Sequence, residues 1–170
     1  MSDAPERHPQ YAQAKAAAIR LLANRARTRA DLERRLRGKE LAPEAIEAAL
    51  DDLARAGYVD DEQYARDRID ELLRKSKRGA QALTQALIGD GLPSELAKRV
   101  VAETVAGEDM RDWAVEVARE RARGLQGVER QAARRRLYGY LRRRGFGNEE
   151  ALRALDDALP AVDEYHESQP

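Results

Sequence analysis

The sequence predicts an all-α protein built as an elongated tandem array of three three-helix repeats. Three observations carry this. A helix bearing a Leu-x3-Leu pair, a tight break, an apolar anchor and a second amphipathic helix recur three times: Leu32/Leu36 with Leu41, Leu83/Leu87 with Leu92, and Leu137/Leu141 with Phe146. The spacing from Leu36 to Leu87 is 51 residues and from Leu87 to Leu141 is 54, a period that marks stacked supersecondary units. Charged residues make up 36% of the chain and aromatics 5%, with Ala and Leu supplying most of the apolar content, which is a helix-forming composition. No run alternates apolar and polar residues as a strand would.

The partition follows the period: an N-terminal arm over 1–9, repeats over 10–58, 59–107 and 108–159, and an acidic tail over 160–170. The arm and tail are expected to be disordered. Tyr11 to Arg27 reads as the first helix, with Ala14, Ala18, Leu21 and Leu22 on one face. Thr28-x-x-Asp31 is a start signal for the helix of Leu32 and Leu36. Pro43 opens a helix through Leu53, since a first-turn proline loses no hydrogen bond.

Gly57 ends that helix. Asp60 and Asp61 then suit a helix N-terminus, where a carboxylate accepts orphan N–H groups. The helix they open carries Tyr64, Ile69, Leu72 and Leu73; Ala80 to Ile88 and Pro93 to Val105 complete the second repeat. The third repeat holds Trp113 to Arg123, a Gly124-Leu125-Gln126-Gly127 break, Val128 to Arg144, and Glu149 to Leu159. Ala118 to Leu137 spans nineteen residues where Leu22 to Leu32 and Leu73 to Leu83 span ten, so an extra turn or loop belongs there.

The net charge is zero, yet charge is segregated. Residues 15–39 hold nine Lys/Arg against two acids, and 40–71 eleven acids against three Arg. Residues 111–144 hold eleven Arg against four acids, and 145–170 seven acids against one Arg. Local patches must therefore carry any electrostatic function. Cysteine is absent, which excludes disulfides and thiolate metal sites and fits a cytoplasmic protein. No signal-peptide core or membrane-length apolar stretch occurs, so a soluble protein without membrane contact is expected.

Ala18-Ile19-Arg20-Leu21-Leu22, Arg25-Ala26-Arg27-Thr28-Arg29 and Asp31-Leu32-x3-Leu36 resemble the opening of the bacterial RecX regulatory proteins. Leu53-x3-Gly57-Tyr58-Val59-Asp60-Asp61-x2-Tyr64-Ala65, Lys77-Arg78-Gly79 and Leu83-x3-Leu87-x3-Gly91 extend the resemblance, which covers about residues 14–160. It implies a three-repeat protein that lodges in the groove of the RecA recombinase filament, modulates filament growth and stability, and usually inhibits strand exchange and ATP hydrolysis. One departure stands out. Many members of the family carry Lys-Gly before the third helix of the first repeat, and this chain has Lys39-Glu40. The turn is then expected to use Gly38.

The strongest chemical signal is Arg130-x3-Arg134-Arg135-Arg136-x5-Arg142-Arg143-Arg144. At 100° per residue, Ala133, Leu137, Tyr140 and Leu141 share one face and Arg135 and Arg142 lie nearly opposite. Such a face binds phosphates or an acidic protein surface, or else is a solvated face neutralised by acids such as Asp156 and Asp157. Arg25, Arg27, Arg29, Arg34 and Arg35 form a second candidate block, beside Arg37 and Lys39, and Lys75, Lys77 and Arg78 a smaller one. The expected contact residues are these two blocks with Arg130, Arg134, Arg135, Arg142 and Arg143. Tyr58, Tyr64, Trp113 and Phe146 are too scattered for a base-stacking platform and are expected in the core.

Catalytic residues are nearly absent. His8 and His166 fall near the two ends, and no phosphate loop, zinc spacing or nucleophile–base pair occurs. The expectation is a monomeric binding protein, not an enzyme, without metal or cofactor, whose partner is a RecA-type filament. The alternative is a helical protein holding single- or double-stranded DNA through its arginine faces. The alternating acidic blocks and a pI near 6.8 weigh against a dedicated DNA binder.

Overall fold

A computed structural model describes residues 8–106 and 109–159; the expected arm and tail lie largely outside the described residues. Among these, nine α-helices and no strand occur: α1 (Tyr11–Asn24), α2 (Arg29–Arg37), α3 (Pro43–Arg55), α4 (Asp61–Lys75), α5 (Ala80–Gly89), α6 (Ser94–Val105), α7 (Met110–Arg123), α8 (Arg130–Arg143) and α9 (Asn148–Ala158).

The described residues form two compact units. The first comprises those up to Ile69 with Ala86–Val100; the second comprises Asp70–Gln85 and those from Val101 onward. In the first unit α1 packs on α3, burying Ala14 and Ala18 with Leu32, Leu36, Ile46, Leu50 and Leu53. In the second, α7 packs on α9, and Trp113, Leu137, Leu141, Phe146 and Leu155 form the core. All six leucines of the three Leu-x3-Leu pairs are fully buried, and the anchors Leu41, Leu92 and Phe146 are buried with them. A three- or four-residue step places each pair on one helix face, so these residues give up the most apolar surface per turn.

Helix ends depart from the periodicity for identifiable reasons. α1 stops at Asn24, short of the expected Arg27, with Arg25 extended at φ −169°, ψ 157°. Thr28 must leave the helical region to cap α2, and does so at φ −71°, ψ 155°, its hydroxyl accepting the Asp31 N–H. α8 starts at Arg130, not Val128, because Glu129 is its cap: the carboxylate accepts the N–H groups of Gln131 and Ala132 at 2.7 and 2.8 Å. Those two bonds, slight burial notwithstanding, hold the Glu129 carboxyl below its ordinary range. The extra length in the third repeat is mostly helix. Leu137 stands seven residues after the start of α8, where Leu32 and Leu83 stand three after theirs. Ala118 stands five before the end of α7, where Leu22 and Leu73 stand two before theirs. The link 124–129 adds only two residues over 25–28 and 76–79, and it tucks Leu125 into the core.

The turn before α3 corrects an expectation. Gly38 is right-handed at φ −65°, so it does not make the turn. Glu40 itself takes the left-handed conformation, at φ 59°. Gly91 and Gly145 stand at the matching turns with φ 98° and 83°. Tyr58 is a second correction. It is 68% exposed, because Gly57, at φ 75°, turns the chain so that Val59 enters the core instead.

Candidate functional site

The first basic block is largely neutralised by its own acids. Asp31, one turn into α2, accepts hydrogen bonds from Arg27 Nη1 at 2.8 Å and Arg35 Nε at 2.9 Å, and pairs with Arg34 as well. Burial alone would raise this carboxyl, but the bonds from Arg35 and Arg27 outweigh it and bring it down to about 2. Arg29 pairs with Asp51 at 2.6 Å and Arg37 with Glu33 at 2.5 Å. Arg27, only 9% exposed in its side chain, also donates from Nε to Leu21 O at 3.2 Å; it ties the α1–α2 link together and is turned away from solvent. Arg25 is exposed and makes no ion pair among the described residues.

The two aspartates act as caps, each for a different helix. Asp60 accepts from the N–H groups of Glu62 and Gln63 at 3.0 and 2.9 Å, closing the start of α4. Asp61 accepts from Arg29 N–H at 2.8 Å and so caps α2 instead. Near them Glu62 receives hydrogen bonds from Arg99 and Arg66, which bring its carboxyl down to about 2 against slight burial.

On α8 the arginines divide. Arg134 pairs with Asp156 at 2.6 Å and donates to Leu159 O at 3.1 Å, and Arg130 reaches the same carbonyl at 3.4 Å. Arg142 is not opposite the core as its helical angle suggests. Its long side chain curls back, half-buried, to donate to Phe146 O at 2.6 Å, satisfying a carbonyl beyond the helix end. Arg135, Arg136 and Arg143 are exposed and have no ion pair among the described residues.

The middle patch also divides. Lys75 is exposed and pairs with Glu71 at 2.7 Å. Lys77 Nζ sits 4.1 Å from the Trp113 ring centroid. Arg78 Nε is buried without a hydrogen-bond partner. Two neighbours join this patch that were not among the expected contact residues, although Arg144 ends the arginine-rich stretch. Arg144 donates from Nη1 to Ser76 Oγ at 2.5 Å and from Nε and Nη2 to Tyr140 Oη at 3.1 and 2.8 Å. Arg121 lies 5.4 Å from the Tyr140 ring centroid. Their convergence depends on which link meets which helix, and only the i,i+4 spacing of Tyr140 and Arg144 hinted at it.

The comparisons with known proteins give the family and the fold. Residues 14–53 match the family model described as RecX, first three-helix domain. A regulatory protein RecX of Corynebacterium efficiens is 32% identical over 164 residues, covering 94% of this chain and 76% of the relative. The chain belongs to the RecX family. A regulatory protein RecX of Amycolatopsis mediterranei is 36% identical over 154 residues, 88% of this chain and 85% of the relative. The crystal structure of RecX from Lactobacillus salivarius superposes with a TM-score of 0.77 at 16% identity, covering 88% of this chain and 96% of that one. At that identity the superposition speaks for the fold: RecX proteins are helical repeat arrays, and this chain is one of them.

Proposed function

We propose that this RecX-family chain binds the RecA recombinase filament on single-stranded DNA and inhibits its growth, ATP hydrolysis and strand exchange. The supporting observation is membership of a family whose relatives are named regulatory proteins, over 94% of the chain. A regulator has no need of a catalytic centre. It acts by binding one state of its partner more tightly than another, and a filament offers repeating, mutually oriented protomers on which such preference becomes inhibition. The reading includes a monomer acting in the cytoplasm through three repeats at 10–58, 59–107 and 108–159.

Within this reading the contact residues are exposed cations that make no ion pair among the described residues, above all Arg135 and Arg143 on α8, with Arg25 in the first block. Arg27, Arg34 and Arg35 are engaged by Asp31 and serve the fold first. DNA-dependent ATP hydrolysis by recombinase, measured as this protein is added below stoichiometric amounts, tests the proposal. A fall is expected. Unchanged hydrolysis and strand exchange at excess folded protein would remove it.

A further inference from the structure

We propose that Ser76, Lys77 and Arg78, with Arg121, Tyr140 and Arg144, form a binding site for the phosphodiester backbone of nucleic acid. The inference deepens the regulatory reading and rests on it only where the strand is held by recombinase. All six residues belong to the second compact unit. The link 76–79 is fastened there by backbone as well as side chain: Gly79 N–H donates to Arg144 O at 2.9 Å, and the Gly79 backbone lies so close to Gly145 that a Cβ would meet its carbonyl at 2.1 Å.

The site concentrates positive charge without neutralising it. Arg121 and Arg144 stand 5.4 and 5.3 Å from the Tyr140 centroid, and Lys77 4.1 Å from that of Trp113. Aromatic rings and neutral hydroxyls position these cations but leave their charge intact. None of Lys77, Arg78, Arg121 and Arg144 has a carboxylate partner among the described residues, in contrast to Arg27, Arg29, Arg34, Arg35 and Arg37 of the first block. The two hydroxyls suit an anion too. Ser76 and Tyr140 both accept from Arg144, so each keeps its own proton to donate to a phosphate oxygen. Arg78 supplies the remaining sign: its side chain is half-buried and its Nε is enclosed with no acceptor, a costly arrangement in a completed site.

A phosphate backbone fits better than an acidic protein surface. Protein interfaces are anchored by apolar or aromatic side chains at their centre. The large hydrophobics exposed among the described residues are Ile19, Tyr58 and Leu152, and none belongs to this face. Guanidinium groups, by contrast, match phosphate oxygens in pairs.

The test measures binding of the full chain to fluorescein-labelled oligo-dT and to the same strand coated with recombinase, at two salt concentrations. Arg78→Gln/Arg121→Gln is expected to weaken naked-strand binding about tenfold and to flatten its salt slope by about 1.4, two phosphate contacts at about 0.7 each. Arg78→Lys/Arg121→Lys, which keeps the charge, should restore most of the slope. Arg34→Gln/Arg37→Gln is the control and should lose little. If the Gln pair melts early, Arg121→Gln alone decides, with about half the slope change. Unchanged affinity and slope in a folded variant, or an equal loss in the control, would overturn the site. So would a loss confined to the coated strand, which would assign these cations to recombinase carboxylates. Inhibition of recombinase by the wild-type chain is read separately, so the site can fail while the regulatory reading stands.

Discussion

Thr28 donates its hydroxyl hydrogen to Asp90 O at 2.9 Å while accepting the Asp31 N–H at 3.1 Å. One buried side chain thus caps α2 and fastens it to the turn before α6. The same connection recurs 51 residues later in another form, with Gly79 N–H donating to Arg144 O at 2.9 Å. In both, the start of a repeat's second helix meets the corresponding turn of the following repeat. The Asp90 carboxylate is held in place by Arg68 Nε at 2.9 Å.

Thr28→Ala is expected to destabilise the protein by about 1–2 kcal/mol, from a lost cap and a half-buried Asp90 carbonyl left without its donor. Thr28→Ser keeps both bonds and should lose less than half as much. Urea midpoints for the two variants check this. Equal losses would mean that the methyl group, and not the hydroxyl, matters at this position.

The left-handed position of the three turns should respond differently in each repeat. A Cβ at Gly145 would meet Ala82 N at 2.2 Å, and one at Gly91 would meet Ala30 Cβ at 3.1 Å. Gly145→Ala is therefore expected to cost more than about 3 kcal/mol, combining the φ penalty with a backbone clash. Glu40 has the φ penalty alone and is exposed. Glu40→Gly should stabilise by about 0.5–1 kcal/mol in urea titration. A destabilised Glu40→Gly would show that its side chain makes up for the strain.

Much of this was legible in the sequence because it depends on period. The Leu-x3-Leu pairs and anchors fixed the helices and their buried faces, since burying an apolar face is a requirement each helix meets alone. The Glu40 turn was misread. Glycine is the usual mark of φ > 0, and Gly38 lay two residues away. The basic faces were legible as composition but not as charge balance. Arg34 and Arg135 look alike on a helical wheel, yet one is bound to Asp31 and the other is free of ion pairs. Which acid meets which arginine depends on side-chain reach and on helices brought together from distant sequence.

Acid should weaken the fold through Asp31 and Glu62. Both carboxyls are held down to about 2 in the folded chain, while unfolded carboxylates titrate near about 4. Between those values the unfolded state binds more protons, so stability rises with pH there. The contribution is fully present above about 4 and is lost as pH falls through about 2. Asp31→Asn should lower stability at neutral pH and flatten the dependence of the urea midpoint across that window. An unchanged slope would show that the arginines around Asp31 do not stabilise its ionised form.

The arginines of α8 provide the sharpest separation of binding from folding. Arg135 and Arg143 are exposed and free of ion pairs among the described residues, so Arg135→Ala/Arg143→Ala should change stability by no more than about 0.5 kcal/mol per site. Arg142, one residue away from Arg143, should behave oppositely. Its bond to Phe146 O closes the end of the helix beside the buried Phe146 ring, so Arg142→Ala should cost about 1 kcal/mol or more. If the exposed pair contacts phosphates or recombinase carboxylates, the double variant will bind the filament more weakly and with a shallower salt dependence, because fewer counterions are released. Melting temperatures and filament affinities at two salt concentrations separate the two effects. Full affinity in the double variant would return Arg135 and Arg143 to a role in solvation alone. A large drop in its melting temperature would show that these side chains pack against the protein in solution.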